Sequence, residues 1–538
     1  MKKLLSALLC AALLCAVLLS GCGETTGAGD SGDNSIEAHA STDKYRNFYQ
    51  IFVYSFSDSN SDGIGDLQGI TTHLDYLNDG DPNGGNDLGI DALWLTPIMP
   101  SESYHKYSVE DYYNIDPDFG TLEDFDKLVE ECHKRGVNII IDLVLNHISY
   151  KNPLFLNACA EVEQGKLDGD AEYFEFHEDG YYGPDVNTIL VGDYYCEANF
   201  SETMPEWNLS SDKTRAEFEK IAKFWLDRGV DGFRLDACKY FSNKHTDGVE
   251  FLKWFTDTCR SIKSDVYLVG EEWDADSFIE ELYHSGIDSL FAFRFAMSTG
   301  DIVDCMNSQK GASFVKKLVG YEDKMRAANP DFINAMFLSN HDQVRIANAL
   351  QGKGPDYERF AANVYMLAPG NSFTYYGEEI GMTAAETTSD AYYRLPMVFD
   401  SDKLQAIHIP NANIGYEAPE GGGVKQQLED KDSLLNYYRE LIKVKLQNPE
   451  IARGHITEQK DFGEKEIGAY IVDYNGSKLL VVHNFSNEET KELTIGDDVL
   501  PNATLRASLI GPEKAKAELK DGKLTLPAHS SVILKPAE

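Results

Sequence analysis

The chain has 538 residues, which is too many for one small domain and enough for a large domain with accessory domains. Its hydrophobic content of 42% is that of an ordinary globular protein. The 48 Lys and Arg against 89 Asp and Glu give a formal charge of −41, which argues against a nucleic-acid partner because phosphates need cationic side chains.

The N-terminus has the features of an export signal, residues 1–22. Two lysines precede an apolar run at 4–19, which is short for a transmembrane helix. The Leu-Ser-Gly-Cys word that ends at Cys22 resembles a bacterial lipoprotein signal, which places a lipid on Cys22 and the protein on the extracellular face of the membrane. The alternative is an ordinary signal peptide with an incidental cysteine. Residues 23–44, rich in Gly, Ser, Thr and Asp, predict a flexible tether.

Six cysteines follow Cys22 and are scattered along the chain. They lack the short paired spacing that is typical of a zinc site. We expect them to be free and buried, and a disulfide stays open in an exported protein. They are Cys132, Cys159, Cys196, Cys238, Cys259 and Cys305.

Strand-like segments alternate with helix-like segments along most of the chain. The predicted strands are 48–56, 90–95, 137–145, 230–236, 266–270, 287–293, 335–339 and 372–376. The clearest helices are 121–135 and 211–228, each with one apolar stripe and a terminating glycine. This alternation predicts an α/β fold, a (β/α)8 TIM barrel, whose functional site lies at the C-terminal ends of the strands.

Two regions depart from this alternation. Residues 147–208 are polar and aromatic and too long for a simple loop, so they predict a lid or an inserted domain between the barrel parts 45–146 and 209–450. From 451 to 538, short alternating runs predict a C-terminal antiparallel β domain.

Four predicted strands end in short sequence motifs that contain acidic residues, histidine or asparagine. In the word at 230–240, alternation puts Arg234 and Asp236 on one face, and buried charges need partners. That pair alone would indicate a salt bridge. With the words at 141–147, 269–273 and 337–342, it resembles the four signatures of the alpha-amylase family, glycoside hydrolase family 13. The resemblance covers roughly residues 45–450 and implies that the insertion is the family's domain B.

The resemblance implies a retaining glycoside hydrolase. Asp236 would be the nucleophile and Glu271 the general acid and base. Asp342 would bind sugar hydroxyls and favour the distorted ring. Arg234 would hold the nucleophile ionised.

Further residues match the family's sugar-binding positions. His147 and His341 match its hydroxyl-binding histidines. Tyr107, with His105 beside it, matches the aromatic platform under the sugar. Asp142 is expected to be structural, tying the site together by hydrogen bonds.

Residues 58–66 read like a calcium loop. The oxygen donors are Asp58, Asn60, Asp62 and Asp66, with the Ile64 carbonyl between them. Many family members resemble this loop and hold calcium there. The alternative is a plain Asp-rich turn, because the bidentate glutamate of an EF-hand is missing.

The activity within the family is indicated by two features. Lys239 resembles the lysine that alpha-amylases have after the nucleophile. The sequence at 204–208 resembles that of the group of enzymes intermediate between oligo-1,6-glucosidases and neopullulanases. We therefore predict a monomeric enzyme that cleaves alpha-1,4 bonds of starch, maltodextrins and maltooligosaccharides and touches the membrane only through its lipid. An alpha-glucosidase, an oligo-1,6-glucosidase or a transglycosylase is the alternative, and a non-catalytic starch-binding lipoprotein is the alternative from another class.

Overall fold

The computed structural model describes residues 45–82, 84–179, 186–241, 248–412 and 416–537. The predicted signal peptide, the tether and Cys22 lie outside the described residues. Within those residues, no helix is both long and apolar enough to cross a bilayer.

Strands and helices alternate through the first two thirds of the chain, and strands dominate the remainder. In chain order the strands are β1 (Asn47–Ile51), β2 (Ala92–Leu95), β3 (Asn138–Leu143), β4 (Phe176–His177), β5 (Thr188–Val191), β6 (Tyr194–Glu197), β7 (Gly232–Leu235), β8 (Tyr267–Gly270), β9 (Ser289–Leu290), β10 (Ala335–Phe337), β11 (Asn371–Tyr375), β12 (His455–Lys460), β13 (Ile467–Tyr474), β14 (Ser477–Asn484), β15 (Lys491–Thr494), β16 (Ala503–Leu509), β17 (Glu518–Lys520), β18 (Lys523–Leu526) and β19 (Ser530–Pro536). The α-helices are α1 (Val53–Phe56), α2 (Leu67–Thr72), α3 (Leu74–Leu77), α4 (Leu122–Lys134), α5 (Pro153–Val162), α6 (Asp212–Asp227), α7 (Gly248–Ile262), α8 (Asp276–Tyr283), α9 (Asp301–Ser308), α10 (Gly311–Ala328), α11 (Ile346–Ala349), α12 (Pro355–Met366), α13 (Val424–Glu429), α14 (Leu434–Gln447) and α15 (Pro449–Arg453).

The predicted TIM barrel is confirmed. Eight strands pair in parallel in the order β10-β11-β1-β2-β3-β7-β8-β9. A parallel bridge between Phe291 and Ala335 joins the two ends of this order and closes the barrel. The carboxyl ends of all eight strands therefore point to one rim, where the four signature words lie.

The barrel interior is filled largely by aromatic rings. Phe48 and Phe373 stack at 4.3 Å, and Phe291 meets Phe373 edge to face at 4.9 Å. Trp94 lies above them, and its indole N–H points to Asp142 at 3.3 Å. The barrel interior is thus packed with apolar side chains, and a layer of charged side chains lies above them toward the rim at the strand carboxyl ends.

The first strand is shorter than predicted. It ends at Ile51, and residues 53–56 form α1 where the apolar run was assigned to the strand. A continuous run such as Phe-Val-Tyr-Ser-Phe does not separate a strand from a buried helical turn. Backbone hydrogen bonds stabilise this turn: the Gly65 amide donates to the Tyr54 carbonyl, and the Asp66 amide donates to the Ser57 carbonyl.

The helices predicted at 121–135 and 211–228 are present, and each begins at a side-chain cap. Thr121 and Asp124 form a reciprocal capping box at the start of α4. Ser211 caps α6 by accepting the amide of Thr214. Both helices bury their apolar stripes, and Phe125 of α4 contacts Trp225 of α6 edge to face at 5.3 Å.

Two further parts accompany the barrel. Between β3 and β7 lie α5 and a small antiparallel sheet of order β4-β6-β5. After α15 come a five-stranded sheet of order β12-β13-β14-β19-β16 and a three-stranded sheet of order β15-β18-β17. The six cysteines of the described region are free, and five are buried; Cys159 is partly exposed.

Candidate active site

One cavity of about 590 Å³ opens at the rim formed by the strand ends. Nearly all the predicted catalytic and sugar-binding side chains meet there or directly beneath it. The cavity lining is His105, Tyr107, His147, Phe200, Ser201, Met204, Asp236, Ala237, Lys239, Tyr240, Glu271, Trp273, Asp342, Asp390 and Arg394.

Arg234 is the centre of the charge network below the cavity. Its Nη1 donates to Asp236 Oδ1 at 2.6 Å, and its Nη2 donates to Glu271 Oε2 at 2.6 Å. The same Nη1 lies 2.8 Å from Asp142 Oδ1, and the Tyr107 hydroxyl donates to Asp142 at 2.9 Å. Arg234 and Asp142 are fully buried. One guanidinium therefore fixes the relative position of the two carboxyl groups, and Asp142 fixes the guanidinium.

The backbone after Asp236 adopts an unusual conformation. Ala237 has a φ of 51°, in the left-handed region that non-glycine residues seldom adopt. This turns its N–H toward Glu271 Oε2 at 3.2 Å. Strain of this kind persists where surrounding contacts impose it. Here it gives the Glu271 carboxyl a second donor besides Arg234.

Four carboxyl groups face two guanidinium groups in this network. They are Asp142, Asp236, Glu271 and Asp342 opposite Arg234 and Arg394. Burial raises the pKa of Glu271 to about 7 although Arg234 opposes the shift. Burial also raises the pKa of Asp236, against the same guanidinium. The network therefore retains a proton near neutral pH, as a site with one ionised and one protonated carboxyl requires.

Asp342 is held differently from the other acids. Arg394 Nη2 donates to its Oδ1 at 2.7 Å, and Arg394 Nε donates to the His341 carbonyl at 2.8 Å. Burial opposes the ionisation of Asp342, but His341 and Arg394 outweigh it and hold its pKa below the usual range. Asp342 is therefore ionised at neutral pH.

The three predicted histidines are neutral and lie on one side of the cavity. Burial lowers the pKa of His105 to about 4 and those of His147 and His341 to about 3. His341 lies between Gln50 Nε2 at 2.8 Å and the Tyr107 hydroxyl at 2.7 Å, with the Tyr107 ring stacked on it. Neither ring nitrogen of His147 has a hydrogen-bond partner among the described side chains, and the residue is 2% exposed. His147 is therefore free to bond to a ligand hydroxyl.

Several cavity residues were given no site role from the sequence. Arg394 was missed because a lone arginine between Tyr393 and Leu395 matches no signature word. Its burial was the available signal, since a buried cation needs acidic partners. Trp273 ends the signature at 269–273 and Phe200 lies in the insertion at 147–208, but neither residue was given a role.

Lys239 lies at the cavity and pairs with an acid. Its Nζ is 2.7 Å from Asp274 Oδ2, on the loop that follows Glu271. Glu272, the residue after Glu271, does not line the cavity.

The loop at 58–66 is ordered by its own side chains. Asp58 accepts three backbone amides of the turn at 2.6–3.1 Å, and Asn60 donates to Asp62 at 2.9 Å. Asp66 caps α2. With the Ile64 carbonyl, these are the oxygen donors that calcium prefers. Within the described ranges, however, no group of three or more His, Cys, Asp or Glu side chains is arranged to hold a metal ion.

Comparisons with known proteins point to one family. The family described as "Alpha amylase, catalytic domain" matches residues 50–454, and "Alpha-amylase SusG C-terminal domain" matches 467–533. "Alpha-amylase 3" of Dictyoglomus thermophilum is 36% identical over 500 residues, covering 91% of this chain and 93% of the relative. "Oligo-1,6-glucosidase" of Bacillus cereus is 28% identical over 525 residues, covering 82% and 90%. The solved structure of Eubacterium rectale Amy13B is 37% identical with a TM-score of 0.84, covering 92% of this chain and 96% of that one.

Proposed function

The chain belongs to the alpha-amylase family, glycoside hydrolase family 13, and from that membership we propose that it hydrolyses alpha-1,4-glucosidic bonds in starch, maltodextrins and maltooligosaccharides. The observation that carries the proposal is the guanidinium of Arg234, which holds Asp236 and Glu271 on its two terminal nitrogens. Glycoside hydrolysis needs one ionised and one protonated carboxyl beside the scissile bond.

In the proposed reaction Asp236 attacks the anomeric carbon while Glu271 gives its proton to the leaving oxygen. The product of this step is a covalent glycosyl-enzyme. Glu271 then removes a proton from water, which attacks the same carbon and frees Asp236. Asp342, kept ionised by Arg394, accepts hydrogen bonds from sugar hydroxyls, and His147 and His105 offer further bonds to them.

The alternative activities use the same chemistry. An alpha-glucosidase, an oligo-1,6-glucosidase or a transglycosylase would form the same intermediate and differ in which sugar or water follows. A non-catalytic glucan binder has less support, because Asp236, Glu271 and Asp342 are all present in one cavity.

Product analysis separates these activities. We expect purified enzyme to cleave soluble starch and maltotriose faster than isomaltose. Faster cleavage of isomaltose would reject the alpha-1,4 assignment. Asp236→Asn is the control: it should still bind maltooligosaccharide in calorimetry while losing nearly all turnover, because the amide keeps the shape of the carboxylate and loses its nucleophilicity. Wild-type turnover in that variant would reject the catalytic assignment.

Calcium is proposed as a structural ion of the 58–66 loop. The support is the donor set: three carboxylates, one amide oxygen and the Ile64 carbonyl, within a turn in which Asp58 accepts backbone amides and Asn60 donates to Asp62. The loop follows β1 and the short helix α1, so a bound ion would fix the first barrel loop.

The anchor and location are proposed from the sequence of the export signal. A lipid on Cys22 would hold the enzyme at the extracellular face of the membrane, with residues 23–44 as the tether. Two or more acyl chains are needed for stable anchoring. We also propose that the enzyme is a monomer.

A further inference from the structure

The loop between β2 and α4 contains a residue that the proposed mechanism does not use. Lys106 has a φ of 66°, in the left-handed region that glycine adopts freely and other residues adopt seldom. The residue is 3% exposed, although lysine is rarely buried unless it is paired. Lys106 does not line the cavity, but its two chain neighbours, His105 and Tyr107, both do.

The Lys106 ammonium has partners on its own loop. Its Nζ lies 2.8 Å from Asp116 Oδ2 and donates to Asp118 Oδ2 at 3.0 Å. The Ser101 carbonyl accepts a further bond at 3.3 Å. The Phe119 ring lies 5.3 Å from the ammonium, within the range of a cation–π contact. Three oxygens thus match the three donors of the ammonium, and an aromatic ring adds another contact.

Asp116 connects this ion pair to the barrel. Its side chain is buried, and its two carboxylate oxygens accept the amides of Ser101 and Asp118, each at 2.9 Å. The Asp116 amide donates to the carbonyl of Ile98, three residues after the end of β2, at 2.8 Å. The acidic partner is therefore held by the barrel scaffold, and the ion pair ties Lys106 to it.

Tyr107, the next residue, reaches the charge network beneath the cavity. Its hydroxyl donates to Asp142 at 2.9 Å and lies 2.7 Å from His341 Nε2. Its ring stacks on that of His341 with an interplanar angle of 5°. The Tyr107 amide donates to His105 Nδ1 at 3.2 Å, so the backbone here also orients the His105 ring. A change in the backbone at Lys106 would therefore move the side chains on both sides of it.

We propose that Lys106 is a positioning residue of the active site. Its ion pairs hold the left-handed turn, and the turn places the Tyr107 hydroxyl on Asp142. The left-handed conformation is less favourable for lysine than for glycine, and such strain persists where surrounding contacts impose it. The inference rests on the proposed hydrolase function, because Tyr107 acts on the network that contains both reacting carboxyl groups.

The alternative is that the ion pairs stabilise the loop and do nothing for catalysis. Both roles predict a lower Tm when Lys106 is replaced, so a change in Tm does not separate them. A positioning residue acts through Tyr107, however, and most of its effect on catalysis should disappear when the Tyr107 hydroxyl is absent.

The test is a double-mutant cycle between Lys106 and Tyr107, with kcat and KM on maltoheptaose measured well below the Tm of each variant. Lys106→Gly removes the ion pairs and relieves the backbone strain, and Tyr107→Phe removes only the hydroxyl. Lys106→Arg keeps the charge and is the conservative replacement. Asp118→Asn weakens the same ion pair at a side chain that is 47% exposed, and it replaces Lys106→Gly in the cycle if that variant does not fold.

Lys213 is the matched control, because its ammonium has the same kinds of partner. It lies 2.9 Å from Asp170 Oδ1, 2.5 Å from the Gly169 carbonyl and 4.4 Å from the centre of the Tyr173 ring. Lys213 is on α6 and does not line the cavity. We expect Lys213→Gly to change kcat less than about 2-fold.

We expect Lys106→Gly to lower kcat at least about 10-fold with a smaller change in KM, because misplacing a positioned group mainly slows the reaction. In the Tyr107→Phe background the same substitution should lower kcat less than about 3-fold. Asp118→Asn should show a smaller loss with the same dependence on Tyr107, and Lys106→Arg should recover most of the wild-type kcat. Equal losses in both backgrounds, no loss, or a Lys106→Arg variant as slow as Lys106→Gly would overturn the proposal.

A structural measurement separates this proposal from the hydrolase function. If the wild-type enzyme cleaved no maltoheptaose, the proposed function would fail by itself. A crystal structure of Lys106→Gly, or of Asp118→Asn, then tests the positioning without substrate. Displacement of the Tyr107 hydroxyl from Asp142 supports the role of Lys106, and an unchanged contact overturns it.

Discussion

Replacing Arg394 by glutamine should weaken catalysis, because it removes the positive charge that faces the Asp342 carboxylate. Arg394 is 3% exposed and donates through Nη2 to Asp342 Oδ1 at 2.7 Å and through Nε to the His341 carbonyl at 2.8 Å. The same Nη2 lies 2.6 Å from Asp390, which is near the solvent. Glutamine keeps part of the volume and polarity but removes the positive charge.

The expected magnitude follows from these contacts. A hydrogen bond to a charged group contributes roughly 1.5–3 kcal/mol, which corresponds to a loss of about 10- to 150-fold in kcat/KM if Asp342 binds substrate as an anion. Asp342 is a third exposed, so solvent screening favours the lower end of that range. Without Arg394, burial raises the pKa of Asp342, and the acid limb of the pH profile moves to higher pH.

The assay is the pH dependence of kcat/KM on maltoheptaose for wild type, Arg394→Gln and Arg394→Lys. Lysine keeps the charge, so Arg394→Lys should retain the position of the acid limb while losing activity. Arg326→Gln, on α10 outside the cavity, is the control. An acid limb in Arg394→Gln that coincides with wild type would refute the role of Arg394 in ionising Asp342.

The Arg394→Gln substitution should also lower the thermal stability of the protein. The pKa of Asp342 is lower in the folded protein than in the unfolded chain. The ionised carboxylate therefore stabilises the fold at pH values above the unfolded pKa, and this stabilisation is lost as pH falls through the folded pKa. Arg394→Gln should therefore lower Tm more at pH 7 than at pH 3. An equal decrease at both pH values would indicate lost packing alone.

Three further predictions concern the metal, the anchor and a buried acid. A strong chelator should lower Tm, with recovery on adding calcium; no change in Tm, in wild type or in Asp58→Ala, would favour a plain turn at 58–66. Cys22→Ser should release active enzyme into the medium, and a variant that stays on the membrane would reject the lipid anchor. Burial raises the pKa of Glu378 to about 8, so its contribution to stability is present below the unfolded pKa and declines as pH rises toward 8. Glu378→Gln should thus gain Tm relative to wild type between pH 5 and 8, and a constant difference across that range would contradict the assignment.

The barrel was predictable because its signals are local. Each strand is a short apolar run, and α4 carries its own capping box at Thr121 and Asp124. The strand ends were also predictable, since parallel strands bring their carboxyl ends to one rim. Residues at 142, 236, 271 and 342 could therefore be placed together without any contact information.

The remainder of the site depends on contacts between distant segments. Arg394 meets Asp342 across 52 positions, and Phe200 meets Tyr240 from the loop that follows β6. No periodicity indicates such pairs, because each partner alone resembles an ordinary buried cation or surface aromatic. The first strand was over-extended for a related reason: the turn at 53–56 is held by amides that come from the 58–66 loop.

The sharing of Arg234 by three acids is the feature of the site that no single residue predicts. Arg234 bonds to Asp142, Asp236 and Glu271 at once, and this needs two nitrogens held in one plane. A lysine offers a single ammonium and could not hold the attacking and protonating carboxyls at separate fixed points. The charges are also interdependent, since every proton that one acid accepts changes the pKa of the others. A substitution at Arg234 would thus alter the geometry and the protonation of both carboxyl groups together, which sets it apart from the separable role of Arg394 at Asp342.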